Sequence, residues 1–220
     1  MAMHFLSYPI EKRMPVYGTA NADMEIVPVR SISDGDSCNV FKIGLENHVG
    51  THVDCPAHFF NHGSKINDYP ANTWFFYNPY VIRVSLKENQ IITPEDIGKI
   101  PHGADLLLIQ SSFSHFRGTE IYSRHNPGFH PEVGKWLREK YSHVRAIGFD
   151  FISLSTYQNR ELGRKAHQAF LDPNGNNSPI LIVEDMDLSV DLTGLTKVMV
   201  FPLRVEGLDS APCTVVGMFE

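Results

Sequence analysis

Hydrophobic and polar positions alternate strictly across residues 48–58, His-Val-Gly-Thr-His-Val-Asp-Cys-Pro-Ala-His. The even positions hold His, Gly, His, Asp, Pro and His; the odd ones hold Val, Thr, Val, Cys and Ala. Alternate side chains of an extended strand share a face. One face therefore carries His48, His52, Asp54 and His58, separated by the chain benders Gly50 and Pro56, and the other packs. Elsewhere, residues 78–86 predict a strand from their β-branched and aromatic content. Residues 104–109, 144–151 and 179–183 are apolar runs short enough for buried strands, the last ending at Glu184. Residues 197–203, stopped near Pro202, and 213–219 read as further strands. Thr93-Pro94-Glu95-Asp96 is a helix start, with a capping Thr, Pro at the first position and acids in the first turn. Residues 131–141 put Val133, Trp136 and Leu137 on one helical side, and 162–171 also read as a helix. Strands outnumber helices, and the helices of the second half fall between strands. This predicts an α/β fold, a single mixed domain over residues 1–220.

Composition changes this picture little. The 220 residues are 42% hydrophobic and 20% charged, which is ordinary globular material. That length permits one large domain or two small ones, and no linker, repeat or low-complexity segment divides it. A net charge of -6 without a Lys/Arg run argues against nucleic acid as a partner. No stretch approaches the roughly 18 continuous apolar residues of a membrane span. The first residues lack the basic and apolar regions of a signal peptide. Cys38, Cys55 and Cys213 show no paired spacing, which fits a reducing cytoplasm. Cys55 falls on the strand face away from the histidines and is expected to pack.

Three imidazoles and a carboxylate on one parity suit a borderline divalent metal. Zinc fits first, and manganese accepts the same ligands. Geometry adds a condition. Residues four apart on a flat strand lie about 13 Å apart, too far for one ion. The chain must bend between His48 and His52, which Gly50 permits, and Pro56 should end regular pairing before His58. The plainer alternative is a polar strand face satisfied by water or backbone. His62, His102, His115, His125, His130 and His143 share no ligand spacing, and most are expected to be solvated. The aromatic run Trp74-Phe75-Phe76-Tyr77 lines either a substrate pocket or a core or subunit interface.

The segment from His48 through Gly50, Thr51, His52, Asp54, Pro56 and His58 to Phe59 resembles the signature of the cyclase-like metal-dependent hydrolases. That family includes bacterial-type kynurenine formamidases and isatin hydrolases. Met14–Tyr17, Arg145–Ser153, His167, the strand end at Glu184 and Pro202–Pro212 continue the resemblance in order, over most of the chain. Membership implies a swivelling β/β/α-type fold and a homo-oligomer, a dimer or tetramer. By matching position it implies His48, His52 and Asp54 as ligands of one ion. Asp54 would bridge to a second ion held by His167 and Glu184, and His58 would be the catalytic acid/base. Alone, His167 is an ordinary helix histidine and Glu184 an ordinary acid at a strand end; Asp185 beside it should face elsewhere. Two segments depart from the family pattern. Pro-Asn-Gly-Asn-Asn at 173–177 is a longer loop, bordering the site or merely on the surface. Gln110-Ser111-Ser112-Phe113 stands where relatives carry a Thr-Gly-Trp-like run. Asp209 and Ser210 are expected near the site without a catalytic role.

The activity implied is that of a metal-dependent amidohydrolase using one or two ions and a small-molecule amide. N-formylkynurenine is the first substrate to try, giving formate and an aromatic amine. Ring opening of a cyclic amide such as isatin is the alternative within the class. A metal-binding protein without catalysis is the alternative outside it. His58 separates them, because a structural site fills its coordination with protein ligands and has no use for a further titratable group beside it.

Overall fold

A computed structural model describes residues 1–220. Its strands begin with β1 (Ala2–Phe5), β2 (Arg13–Val16), β3 (Thr19–Asp23), β4 (Glu25–Arg30) and β5 (Val40–Gly44). Then come β6 (His52–Asp54), β7 (Phe75–Phe76), β8 (Pro79–Arg83), β9 (Ile91–Ile92), β10 (Leu106–Gln110) and β11 (Gly128–Phe129). The last four are β12 (Ala146–Phe149), β13 (Leu181–Glu184), β14 (Leu195–Pro202) and β15 (Ser210–Phe219). The α-helices are α1 (Pro94–Ile97), α2 (Glu120–Arg124), α3 (Pro131–Lys140) and α4 (Arg160–Leu171).

Most strands form one mixed sheet in the order β7-β14-β15-β6-β13-β12-β10-β8, with β1 added on β15. β8, β10, β12 and β13 run parallel, whereas β6, β15 and β14 pair antiparallel. β8 comes back against β14, so the sheet is nearly closed. Closure gives it an inside and an outside, and the period of two sorts side chains between them. Leu106, Leu108, Ala146, Leu181 and Val183 face one buried core with Val53 and Val200. Leu107, Ile109, Ile147, Phe149 and Ile182 face the other, covered by Val133 and Leu137 of α3 and Ala166 and Phe170 of α4. Burying each of these large side chains contributes about 2 kcal/mol. Strands buried on both faces read as continuous apolar runs, as 104–109 and 179–183 do.

The predicted α/β architecture holds, with corrections in detail. Residues 48–58 bend where strand spacing required it. Only His52–Asp54 pair; Gly50, at φ 61°, turns the chain before them, and Pro56–His58 form a 3-10 turn after them. The Thr93 helix lasts a single turn, closed by a capping box with Asp96. The aromatic run is divided: Trp74 and Phe76 are buried in the core, Tyr77 is exposed, and none borders the cavity described below. Cys55 is fully buried, as expected. The 173–177 loop lies outside that cavity. It is fastened to α3, where Arg138 donates to the carbonyls of Asn176 and Asn177 at 3.1 and 2.9 Å. Ser111 is buried and Ser112 exposed; their N–H groups both donate to the Asp150 carboxylate at 2.9 Å, and neither residue reaches the cavity. No helix is long and apolar enough to cross a membrane.

Candidate metal centre

Register builds the centre. β13 and β6 pair so that Glu184 lies opposite His52 and Ile182 opposite Asp54. Cross-strand partners share a face. Val53 points into the inner core, so His52, Asp54 and Glu184 point to the other side, toward α4. His167 extends from α4 to meet them. His52, Asp54, His167 and Glu184 are 4%, 1%, 3% and 3% exposed, so four titratable side chains are buried together. His52 Nε2 lies 3.4 Å from Glu184 and 3.6 Å from Asp54; His167 Nε2 lies 3.4 Å from Glu184 and 3.8 Å from Asp54.

The backbone fixes which nitrogens face inward. His52 Nδ1 is 2.8 Å from the Gly50 carbonyl and His167 Nδ1 is 3.0 Å from the Gly163 carbonyl. A carbonyl only accepts, so both Nδ1 atoms carry hydrogen and donate. In the neutral rings this leaves each Nε2 with a lone pair aimed at the carboxylates. Glu184 is anchored by donation from the Leu154 N–H at 2.7 Å and the Ser153 hydroxyl at 3.2 Å. Behind it the chain turns at Asp185, at φ 50°, which faces the opposite way as expected. Arg117 donates to Asp185 twice, at 3.0 and 2.8 Å, and the Tyr122 hydroxyl donates a third bond.

His48 and His58 close the centre from the cavity side. His48 lies between Asp54, at 3.1 Å from Nδ1, and Asp209, at 3.2 Å from Nε2. His58 Nδ1 is 2.9 Å from the same Asp209 oxygen. The other Asp209 oxygen accepts from Asn47 at 2.9 Å. All five residues singled out as ligands thus converge with His58 in one cavity of about 870 Å³. Asp209 is what sequence reasoning undervalued. It lies 151 residues from His58 in the chain, and only the Pro202–Pro212 resemblance pointed to its neighbourhood.

Electrostatics follow from this crowding. Burial alone would push the carboxyl of Asp54 up. The imidazole of His48, 3.1 Å away, and the neighbouring His52 outweigh it and hold Asp54 well below the usual carboxylate range. Glu184 is likewise pushed up by burial but drawn down to about 2 by the imidazoles of His167 and His52, each 3.4 Å away. Hydrogen bonds from His48 and His58 hold Asp209 low despite its partial burial. Burial lowers the pKa of His48, yet its bond to Asp209 and the adjacent Asp54 carboxylate lift it to about 10. His52 and His167 are raised for the same reasons.

A divalent ion fits this donor set. His52 Nε2 and both oxygens of Asp54 are buried without a hydrogen-bond partner. Orphaned buried polar atoms of this kind are costly unless something satisfies them. His48, His52 and Asp54 offer donor atoms within 4.8 Å of one another, as do Asp54, His58 and His167. Imidazole and carboxylate are ligands that zinc and manganese accept.

A nearly closed mixed sheet bearing a buried His–carboxylate cluster at the β6–β13 pair defines the class of protein. The Cyclase family model matches residues 5–156, and the chain belongs to that family. It is 28% identical over 187 residues to the kynurenine formamidase of Bacillus thuringiensis strain Al Hakam, covering 84% of this chain and 83% of the relative. It is 23% identical over 215 residues to cyclase-like protein 2 of Oryza sativa subsp. japonica, covering 94% of this chain and 75% of the relative. Among solved structures, isatin hydrolase A from Labrenzia aggregata superposes with a TM-score of 0.81 over 99% of this chain and 93% of that one, at 20% identity. That likeness carries the fold.

Proposed function

We propose that the chain is a metal-dependent amidohydrolase, an arylformamidase that hydrolyses N-formylkynurenine or a similar aryl formamide. The observation that carries this reading is the set of unpartnered buried atoms, His52 Nε2 and the Asp54 carboxylate, in a cavity that His58, bonded to Asp209, also lines. His48, His52 and Asp54 would hold one ion, zinc or manganese; Asp54, His167 and Glu184 would hold a second. Such an ion supplies Lewis acidity, lowering the pKa of bound water from about 16 toward 7 and polarising a carbonyl. In the hydrolysis the amide C–N bond breaks, water oxygen joins the formyl carbon, and the leaving nitrogen takes a proton. His58 is suited to deliver that proton. Asp209 accepts from its Nδ1, which leaves Nε2 free to take the proton that the attacking water gives up and pass it to the leaving nitrogen. A purely structural metal site has no need of this arrangement.

A second reading, opening of an isatin-type cyclic amide, is favoured by the structural likeness to isatin hydrolase A. The metal-loaded protein assayed on N-formylkynurenine and isatin separates the two. Activity on the formamide alone supports the first reading, and activity on isatin alone supports the second.

We also infer a homodimer or homotetramer. The β4–β5 hairpin pairs only with itself and exposes Val29, Phe41 and Ile43 at 61%, 58% and 62%. An isolated two-stranded hairpin is marginal in water, and a second copy of the chain would cover it. A monomer by sedimentation at micromolar concentration would refute this.

A further inference from the structure

The first two turns of α4 form one wall of the cavity. Arg160, Arg164 and His167 recur at helical spacing along it. From His167, Arg164 lies about 4.5 Å and Arg160 about 10.5 Å along the helix axis. The stripe thus runs from the metal centre to the cavity mouth. Arg160 is braced over two rings, 5.9 Å from the centre of Tyr17 and 5.8 Å from that of Tyr157.

Neither arginine has a carboxylate partner within the chain. Glu161, between them in the chain, also lines the cavity, but its carboxylate is paired with Lys165 at 2.8 Å. Deeper in, Asp54, Glu184 and Asp209 are turned toward the histidines of the metal centre. Two guanidinium groups without a carboxylate partner therefore line the cavity, on a chain with a net charge of -6. Guanidinium forks recognise carboxylates, and a cavity of one sign concentrates ligands of the other.

We infer that Arg164 and Arg160 form a carboxylate-binding subsite, so that the preferred substrates are amides bearing a carboxylate one to two helical turns from the scissile bond. This rests on the hydrolase reading and narrows it. A neutral lactam would leave both arginines unmatched.

The test is equilibrium binding by calorimetry to the metal-loaded protein. The probes are kynurenine and its carboxamide, which differ by one negative charge. Kynurenine should bind at least tenfold more tightly. Arg164→Gln combined with Arg160→Gln should abolish that preference, leave carboxamide affinity within twofold, and leave metal content unchanged. Equal affinities in the wild type would overturn the proposal. So would an equal loss for both probes in the variant. A preference that survives both substitutions but disappears on chelation would also overturn it, since the carboxylate would then sit on the metal. Failure of the hydrolase reading shows separately, as absence of turnover on N-formylkynurenine and isatin, and leaves the binding comparison valid.

Discussion

One oxygen of Asp209 accepts hydrogen bonds from two imidazoles, His58 at 2.9 Å and His48 at 3.2 Å. A single carboxylate thereby links the candidate proton donor to a candidate metal ligand. Asp209→Asn keeps the shape and removes the charge. Partners of this kind typically contribute about 10- to 100-fold in metal affinity or activity. We expect a loss of that size in kcat, with weaker metal binding, measured on the same preparations. Wild-type kcat in the variant contradicts the role given to Asp209.

Protons and metal should compete. The pKa of His48 is raised from 6.5 to about 10, because its bond to Asp209 and the adjacent Asp54 carboxylate outweigh burial. The chelator-stripped protein therefore holds this proton at neutral pH. The stabilisation it brings is fully present below the unfolded value of about 6.5 and is lost as pH rises through about 10. An entering cation must displace the proton. Metal affinity should rise from about pH 6 to 9, with proton release visible in buffers of different ionisation enthalpy. PH-independent affinity without proton release contradicts a His-rich site.

Gly163 lets α4 press against the Ser155 segment. A Cβ there would lie 2.8 Å from Ser155 Cα, and the Gly163 carbonyl also accepts from His167. Gly-to-Ala inside a helix should gain up to about 1 kcal/mol from propensity. The clash should cost about 1–3 kcal/mol and win. Gly163→Ala is expected to lower the denaturant midpoint and weaken metal binding together. A stabilised variant would show that the helix can move without disturbing His167.

The Arg117–Asp185 pair holds the turn that directs Glu184 inward. Asp185 is fully buried. Removing the arginine leaves a buried charge with Tyr122 as its main side-chain partner, which typically costs about 3–5 kcal/mol. Arg117→Met should show a loss of that size in urea unfolding; a change below about 1 kcal/mol would mean that water or a shifted side chain replaces the pair.

Much of this centre was legible in the sequence because its chemistry is local. Residues 48–58 carry four of the converging side chains on one parity, and the need for a bend at Gly50 follows from strand spacing alone. The buried strands were legible because closure of the sheet covers both of their faces. His167 and Glu184 were not, except through the resemblance, since a lone helix histidine and a strand-end acid have no local signal. Asp209, Arg160 and Arg164 acquire meaning only when β15 and α4 are set beside β6. The five strands before residue 45 were missed because exposed hairpins such as β4–β5 lack a buried face to impose a clear alternation.

The most direct test of the central claim is metal content measured alongside N-formylkynurenine hydrolysis, on wild type, His52→Ala and His58→Ala purified without added metal. The wild type should hold at least one divalent ion per chain and turn over. His52→Ala should lose metal and activity together, whereas His58→Ala should keep its metal and lose activity by about 100-fold or more. A fully metallated wild type inert on formamides, lactams and esters, or a His58→Ala variant that loses metal as readily as His52→Ala, would contradict the account.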